Sequence, residues 1–397
     1  MLATLFRSSL NWSPTSIATK TQGTLYARLY HRQHRPDPLH LPAGHRSLLP
    51  LVLSSSNLVL QASGSIVGTR MEDGTASKQE PVVPFFLSVP TSEQRPTGFL
   101  RQEVLKAIQG DHGNHKSEGK NSPWHLQYSP AGDILSISFA EWVNKGGKYA
   151  RTMHMERLVQ EWRHKQIFPD ILRGWSNEAY PVYHHAPVES DTKYGGNPVA
   201  FAIERAALPL FGFANFGCLL TAYFRSPETG KTMLWIPRRS ITKRTWPGKL
   251  DVTVGGGISL GDTALSTIVR ECAEEALLDT TYVHDNVRPV GVLPFPNRSP
   301  TGWILPGLYY LYDLLLPADG SIVPRTNVAD GEVESFELMG AETVLQNLLE
   351  GRFKASSALA IVDFLIRHGL ITEASDSRYV DVCRLLKGDF TLPVPWQ

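Results

Sequence analysis

Apolar positions recur along this chain at two spacings, and the change from one to the other divides it. Across residues 151–166, Met155, Leu158, Val159 and Trp162 stand at helical intervals, which predicts a helix with one buried side. Short apolar runs at 124–128 and 134–139, separated by Pro130 and Gly132, read as two strands joined by a turn. A short helix over 99–109, a polar loop over 111–123 and a second short helix over 202–208, entered through Gly195, Gly196 and Pro198, complete a small α+β domain at residues 81–209. No internal repeat interrupts this pattern, and nothing in the segment announces chemistry.

The second half is richer in strands. Apolar runs at 213–224 and 233–238 flank a turn signal at Pro227 and Gly230, and a further strand over 250–254 ends in Gly255, Gly256 and Gly257. A helix follows over 262–278, with Asp262 or Thr263 able to cap it. Strands at 287–293, 305–316 and 333–338 and helices at 341–349 and 358–367, the last stopped by Gly369, close the unit. Elements mixed in this order predict an α+β sandwich over residues 210–372, its mixed sheet covered by helices on both faces. Residues 373–397 are expected to be a tail.

Residues 1–80 read differently. Before Met71 there are seven basic residues (Arg7, Lys20, Arg28, Arg32, Arg35, Arg46, Arg70) against one acid, Asp37, among many Ser, Thr and Leu. That is the profile of a mitochondrial presequence; a disordered extension, or a chain starting at Met71, reads equally well. Without the extension the expected location is the cytoplasm. No apolar run is long enough to span a bilayer. Lys and Arg number 39 and Asp and Glu 38. That balance leaves no global charge for nucleic acid or an anionic membrane surface. The three cysteines (Cys218, Cys272, Cys383) lie far apart, which predicts unpaired thiols. His112, His115, His184 and His185 have no Cys or carboxylate at ligand spacing and read as solvent-exposed or structural.

The informative segment joins Gly255–Gly257 to the helix carrying Arg270, Glu271, Glu274 and Glu275. Glycines let the backbone turn sharply and approach a phosphate closely. The three glutamates, at i, i+3 and i+4, share one side of the helix, where like charges repel unless a cation intervenes. A hard divalent ion such as Mg²⁺ resolves that conflict and can activate water against phosphorus. Arg270 stands four residues before Glu274 and can orient it. Upstream, Arg238, Arg239, Lys243 and Arg244 form a local basic cluster suited to phosphate oxygens, and Trp246 offers an aromatic plane. Glu332 and Glu334 supply further acids.

This segment resembles the Nudix box, with Gly256, Arg270, Glu271, Cys272, Glu274, Glu275 and Leu278 at the family's spacing. Asp262 stands where the first Glu belongs, and Leu277 replaces the last Gly, which predicts an altered helix exit. The stretch from Arg239 to Asp251, Tyr312 with Asp313, and the run from Phe364 to Gly369 resemble one branch, the thiamine pyrophosphokinase-related Nudix hydrolases of fungi and plants. So do Gly174 to Glu178 and Glu204 to Ala207. The resemblance implies a Nudix α/β/α sandwich that hydrolyses a phosphorus-containing anhydride with Mg²⁺, or Mn²⁺ in its place. It implies metal ligands Glu271, Glu274, Glu275 and Gly255, and catalytic roles for Glu274, Glu275, Arg270 and Asp262. Substrate contacts fall to Arg239, Lys243, Trp246 and Arg238. The implied substrate is the diphosphate of damaged thiamine, such as oxothiamine or oxythiamine diphosphate. An oxidised guanine nucleotide (8-oxo-dGDP), isomerisation of an isoprenyl diphosphate, or diphosphate binding without turnover are the rival readings. Too few residues follow the box for a kinase domain.

Overall fold

The computed structural model describes residues 37–60, 66–71, 73–91, 94–185 and 198–395. Its centre is a mixed sheet in the order β12-β13-β9-β10-β14, with β11 also paired to β9. These strands are β9 (Asn215–Arg225), β10 (Thr232–Arg239), β11 (Val254–Gly257), β12 (Arg288–Arg298), β13 (Ile304–Leu315) and β14 (Val333–Gly340). β13 runs parallel to β9 and every other pair is antiparallel. β9 is apolar on both sides because it is covered on both. Leu219 joins one core with α9 (Ala341–Leu349) and α10 (Ala355–Arg367), while Cys218 and Leu220 join the opposite core with α7 (Ala264–Ala276) and α8 (Thr280–Asn286). The expected helix–sheet–helix sandwich is the observed one.

The first domain packs a second sheet, β1 (Leu58–Leu60), β2 (Ile66–Arg70), β3 (Ala76–Phe86), β4 (Gly98–Arg101), β5 (Trp124–Tyr128) and β6 (Ile134–Phe139), against α2 (Gln102–Ser117) and α4 (Gly147–His164). Met155, Leu158, Val159 and Trp162 are all buried there, as their spacing predicts. A two-stranded hairpin, β7 (Ala179–Tyr183) with β8 (Val199–Glu204), bridges the two cores. Trp303, from the β12–β13 connection, plugs the first domain's core and donates to Asp170 Oδ2 at 2.9 Å.

Several expectations change. α2 continues through the predicted polar loop to Ser117, because Asp111 turns inward and is satisfied there. It accepts from Trp124 Nε1 at 2.6 Å, and its two oxygens accept from Arg157 Nη2 at 2.8 and 2.9 Å. The predicted helix at 202–208 begins instead as strand β8, since pairing with β7 outweighs the local helix preference of its alanines. Residues 251–253 form no strand: the Asp251 carboxylate and the Thr253 hydroxyl, not a backbone ladder, bind the neighbouring chain.

The extension expected over 1–80 is also corrected in part. Residues 1–36 lie outside the described residues, but residues 37–60, 66–71 and 73–80 belong to the folded body. α1 (Leu49–Ser55) buries Val52 and, with the preceding Leu48, packs in the core shared with α9 and α10. The predicted tail is likewise structured. α11 (Tyr379–Leu386) buries Val382 and Leu386 beside α1, and Asp376 Oδ2 accepts from the Leu48 amide at 2.8 Å. Helices of seven and eight residues escape periodicity analysis, because two turns are too short for helical spacing to show. Among the described residues, no helix is long and apolar enough to cross a membrane.

Candidate active site

A cavity of about 550 Å³ opens where β11, the second half of α7 and the β7–β8 hairpin converge. Thr263 caps α7: its hydroxyl accepts from the Ser266 amide at 3.0 Å, and the Ser266 hydroxyl accepts from the Thr263 amide at 2.9 Å. The helix therefore starts at a defined point and presents Glu271, Glu274 and Glu275 to the cavity. Gly256 lies flat against Glu271, since a β-carbon there would collide with that carboxylate.

The three acids differ in environment. Glu275 is buried, and its Oε2 accepts from the Gly255 amide at 3.3 Å. Burial, then the neighbouring Glu271, Asp251 and Glu332, push its carboxyl well above the usual range. Burial also raises Glu271, against the pull of Arg270. Burial would raise Glu332 too, but its ion pair with Lys243 brings it below the ordinary value. Glu274 is half exposed and turned to Arg270, whose Nη1 reaches its Oε2 at 2.8 Å and Glu271 Oε1 at 3.0 Å. Asp262 stands 3.6 Å from the same guanidinium.

The donor chemistry fits a hard divalent cation: clustered carboxylates, all oxygen, held together at the expense of their proton affinities. The ligand set expected from the sequence is nevertheless not assembled. Among the described residues no three His, Cys, Asp or Glu side chains are arranged to hold a metal ion. Arg270 engages the Glu274 carboxylate, and Gly255 directs its amide to Glu275.

The basic cluster also departs from expectation. Arg239 reaches the cavity wall, but its donors are committed: Nε to Trp246 O (3.2 Å), Nη1 to Asp251 Oδ2 (2.8 Å) and Nη2 to Thr245 O (2.9 Å). It supports the buried Asp251, together with Lys354 at 3.2 Å and the Ser357 hydroxyl. Arg238 points elsewhere, to Gly248 O and Glu337. Trp246 lines a neighbouring groove with Pro247, Arg101 and Arg298, and not this cavity. Lys243 does line it.

Three cavity residues come from the first domain: Glu178, Tyr180 and Arg205. No spacing rule finds them, because they sit on a hairpin whose pairing is visible only in three dimensions. Glu178, and Arg205 beside Glu204, fall within the segments that carry the branch resemblance. Lys354, at the N-terminus of α10, was also missed. Cys218 touches the cavity, but burial pushes its thiol up to about 12 and it donates to Ala264 O. Such a thiol is no nucleophile, which weakens the isomerase reading further.

Residues 221–359 match the family model described as the NUDIX domain, and residues 145–215 match a domain of unknown function, DUF4743. The chain is 31% identical over 242 residues to an uncharacterized protein of Saccharomyces cerevisiae, YJR142W, covering 58% of this chain and 66% of that one. It is 37% identical over 219 residues to Nudix hydrolase 20, chloroplastic, of Arabidopsis thaliana, covering 55% and 54%. For Nudix hydrolase 24, chloroplastic, of the same plant, identity is 36% over 239 residues, covering 60% and 59%. The matches thus span from about half to just under two thirds of these relatives' own lengths.

Proposed function

We propose that this chain, which joins a Nudix domain to a second α+β domain, is a divalent-cation-dependent hydrolase of damaged thiamine diphosphates. Oxothiamine and oxythiamine diphosphates would yield the monophosphate and phosphate. One observation carries the hydrolase reading: Glu271, Glu275 and Glu332 gather in a cavity whose rim also holds Lys243, Lys354 and Arg205. Such a site offers acids to a cation and cations to a diphosphate. The thiamine part rests on the segments flanking the box, which resemble that branch.

Glu271, with Glu274 or Glu332, would hold a divalent cation, Mg²⁺ or Mn²⁺, which would neutralise charge at phosphate and acidify water. The chain's own groups do the rest. Glu275, buried with a raised proton affinity, is suited to take a proton from the attacking water. Lys243 keeps Glu332 ionised beside it. Arg270 keeps Glu271 and Glu274 on the cavity side of α7. The basic, acid-poor first residues, together with two plant relatives named chloroplastic, support an organellar site of action.

Phosphate release by the full chain with Mg²⁺ tests this reading on oxothiamine, oxythiamine and thiamine diphosphates and on 8-oxo-dGDP. Preference for the damaged thiamines, lost in Glu275→Gln, is expected. Turnover confined to the guanine nucleotide would keep the mechanism and replace the substrate. Binding without release from any of them would leave a diphosphate-binding module.

A further inference from the structure

We infer that the first domain completes the active site, with Arg205 binding a phosphate oxygen of the substrate's diphosphate; the inference rests on the diphosphate reading above. The cations on the cavity wall are not equivalent. Arg239 and Lys354 are spent on the buried Asp251, Arg270 on Asp262, Glu271 and Glu274, and Lys243 on Glu332. Arg205 stands outside these networks. Its ionic partner is the half-exposed Glu178 at 3.3 Å, and its side chain, which lines the cavity, is 46% exposed.

Its base is rigid. Glu204 is buried, and its Oε1 accepts from the Ser176 amide (2.9 Å), the Ser176 hydroxyl (3.0 Å) and the Ala206 amide (3.2 Å), which locks the 3₁₀ turn carrying Arg205. Tyr180, on the facing strand, lines the same cavity wall close to the guanidinium. The hairpin is tied to the Gly-rich turn in its turn, through Leu260 N to Ala179 O at 2.9 Å. Nearby on the same wall, Asn215 Oδ1 is buried and meets no hydrogen-bond partner, a polar atom left over for a ligand. A planar guanidinium held on a rigid turn, weakly paired and facing an acid-lined cavity, has the geometry to fork onto phosphate oxygens. This assigns the domain of unknown function, residues 145–215, a part in substrate binding.

The test uses the full chain and its Arg205→Gln and Arg205→Lys variants. For the best diphosphate substrate, Arg205→Gln is expected to raise KM about tenfold or more while kcat changes by less than about threefold, with partial recovery in Arg205→Lys. Calorimetric binding of methylenediphosphonate with Mg²⁺ should weaken in parallel, at an unchanged thermal midpoint. Unchanged KM and unchanged binding in Arg205→Gln, with the unmodified chain active, would overturn the inference alone. An unmodified chain that neither hydrolyses a diphosphate nor binds methylenediphosphonate would overturn both readings. One that binds without turnover leaves the Arg205 comparison intact and removes only the hydrolase reading.

Discussion

The hydroxyl of Tyr180 occupies the space in which a β-carbon of residue 257 would stand. One residue belongs to the first domain and the other to the Gly-rich turn, so the third glycine of that turn is required by its neighbour across the domain boundary. Gly257→Ala is expected to destabilise the protein by about 1–3 kcal/mol, the usual cost of overpacking. Tyr180→Phe should recover part of that loss in the double variant. Additive effects in a chemical-denaturation cycle would show that the two residues do not meet.

Leu277 closes α7 in the left-handed conformation, with φ of 52°, and is half exposed. The helix exit expected to differ therefore keeps the conformation that glycine provides in the family pattern, at a steric cost of about 1 kcal/mol or more. Leu277→Gly should raise stability by roughly that strain, less the added freedom of glycine in the unfolded chain. A lowered melting temperature would contradict it.

Glu275 sets activity against stability. Its carboxylate is buried among Glu271, Asp251 and Glu332, which raises its proton affinity. Glu275→Gln removes one charge from that cluster and keeps the shape. The expected result is a loss of turnover of about a hundredfold or more together with an equal or higher thermal midpoint in the absence of metal. Activity that survives would move the base elsewhere.

Asp313 gives the fold an acid-sensitive lock. It is buried, which alone would raise it, but His368 Nε2 (2.8 Å) and the Arg367 fork (2.7 and 3.0 Å) bring it below its ordinary value. Asp363 shares Arg367, and Tyr223 packs on His368. A depressed carboxylate contributes stability that is present above its unfolded pKa, about 3.9, and is lost as pH falls through the folded value. Unfolding followed from pH 6 to pH 2 should thus show a smaller acid loss in Asp313→Asn than in the unmodified chain. Equal acid slopes would leave Asp313 out of the balance.

Removing residues 1–70 deletes α1, β1 and β2. Leu48 and Val52 are fully buried in the core with α9, α10 and α11. Each contributes about 1.5–3 kcal/mol, against a total stability of roughly 5–15 kcal/mol. A 71–397 fragment is expected to melt well below a 37–397 fragment or to aggregate. Coincident melting curves would show that this segment adds nothing to the body.

The sequence alone determined the features that repeat at fixed intervals. Arg270, Glu271, Glu274 and Glu275 share a helix face whatever surrounds them, and the apolar run at 213–224 reads as a strand. Local chemistry narrowed the cap to Asp262 or Thr263, and the structure chose Thr263. What the tertiary structure decided was which groups meet across long separations. Lys354 reaches Asp251 across a long separation, and the same buried carboxylate engages Arg239. Lys243 finds Glu332, and Trp246 turns to another groove. Tyr180 and Arg205 enter the site on a hairpin that belongs to a different core. Spacing encodes neighbours along one element, whereas these partnerships arise from burial, where each charge must find its opposite once water is gone.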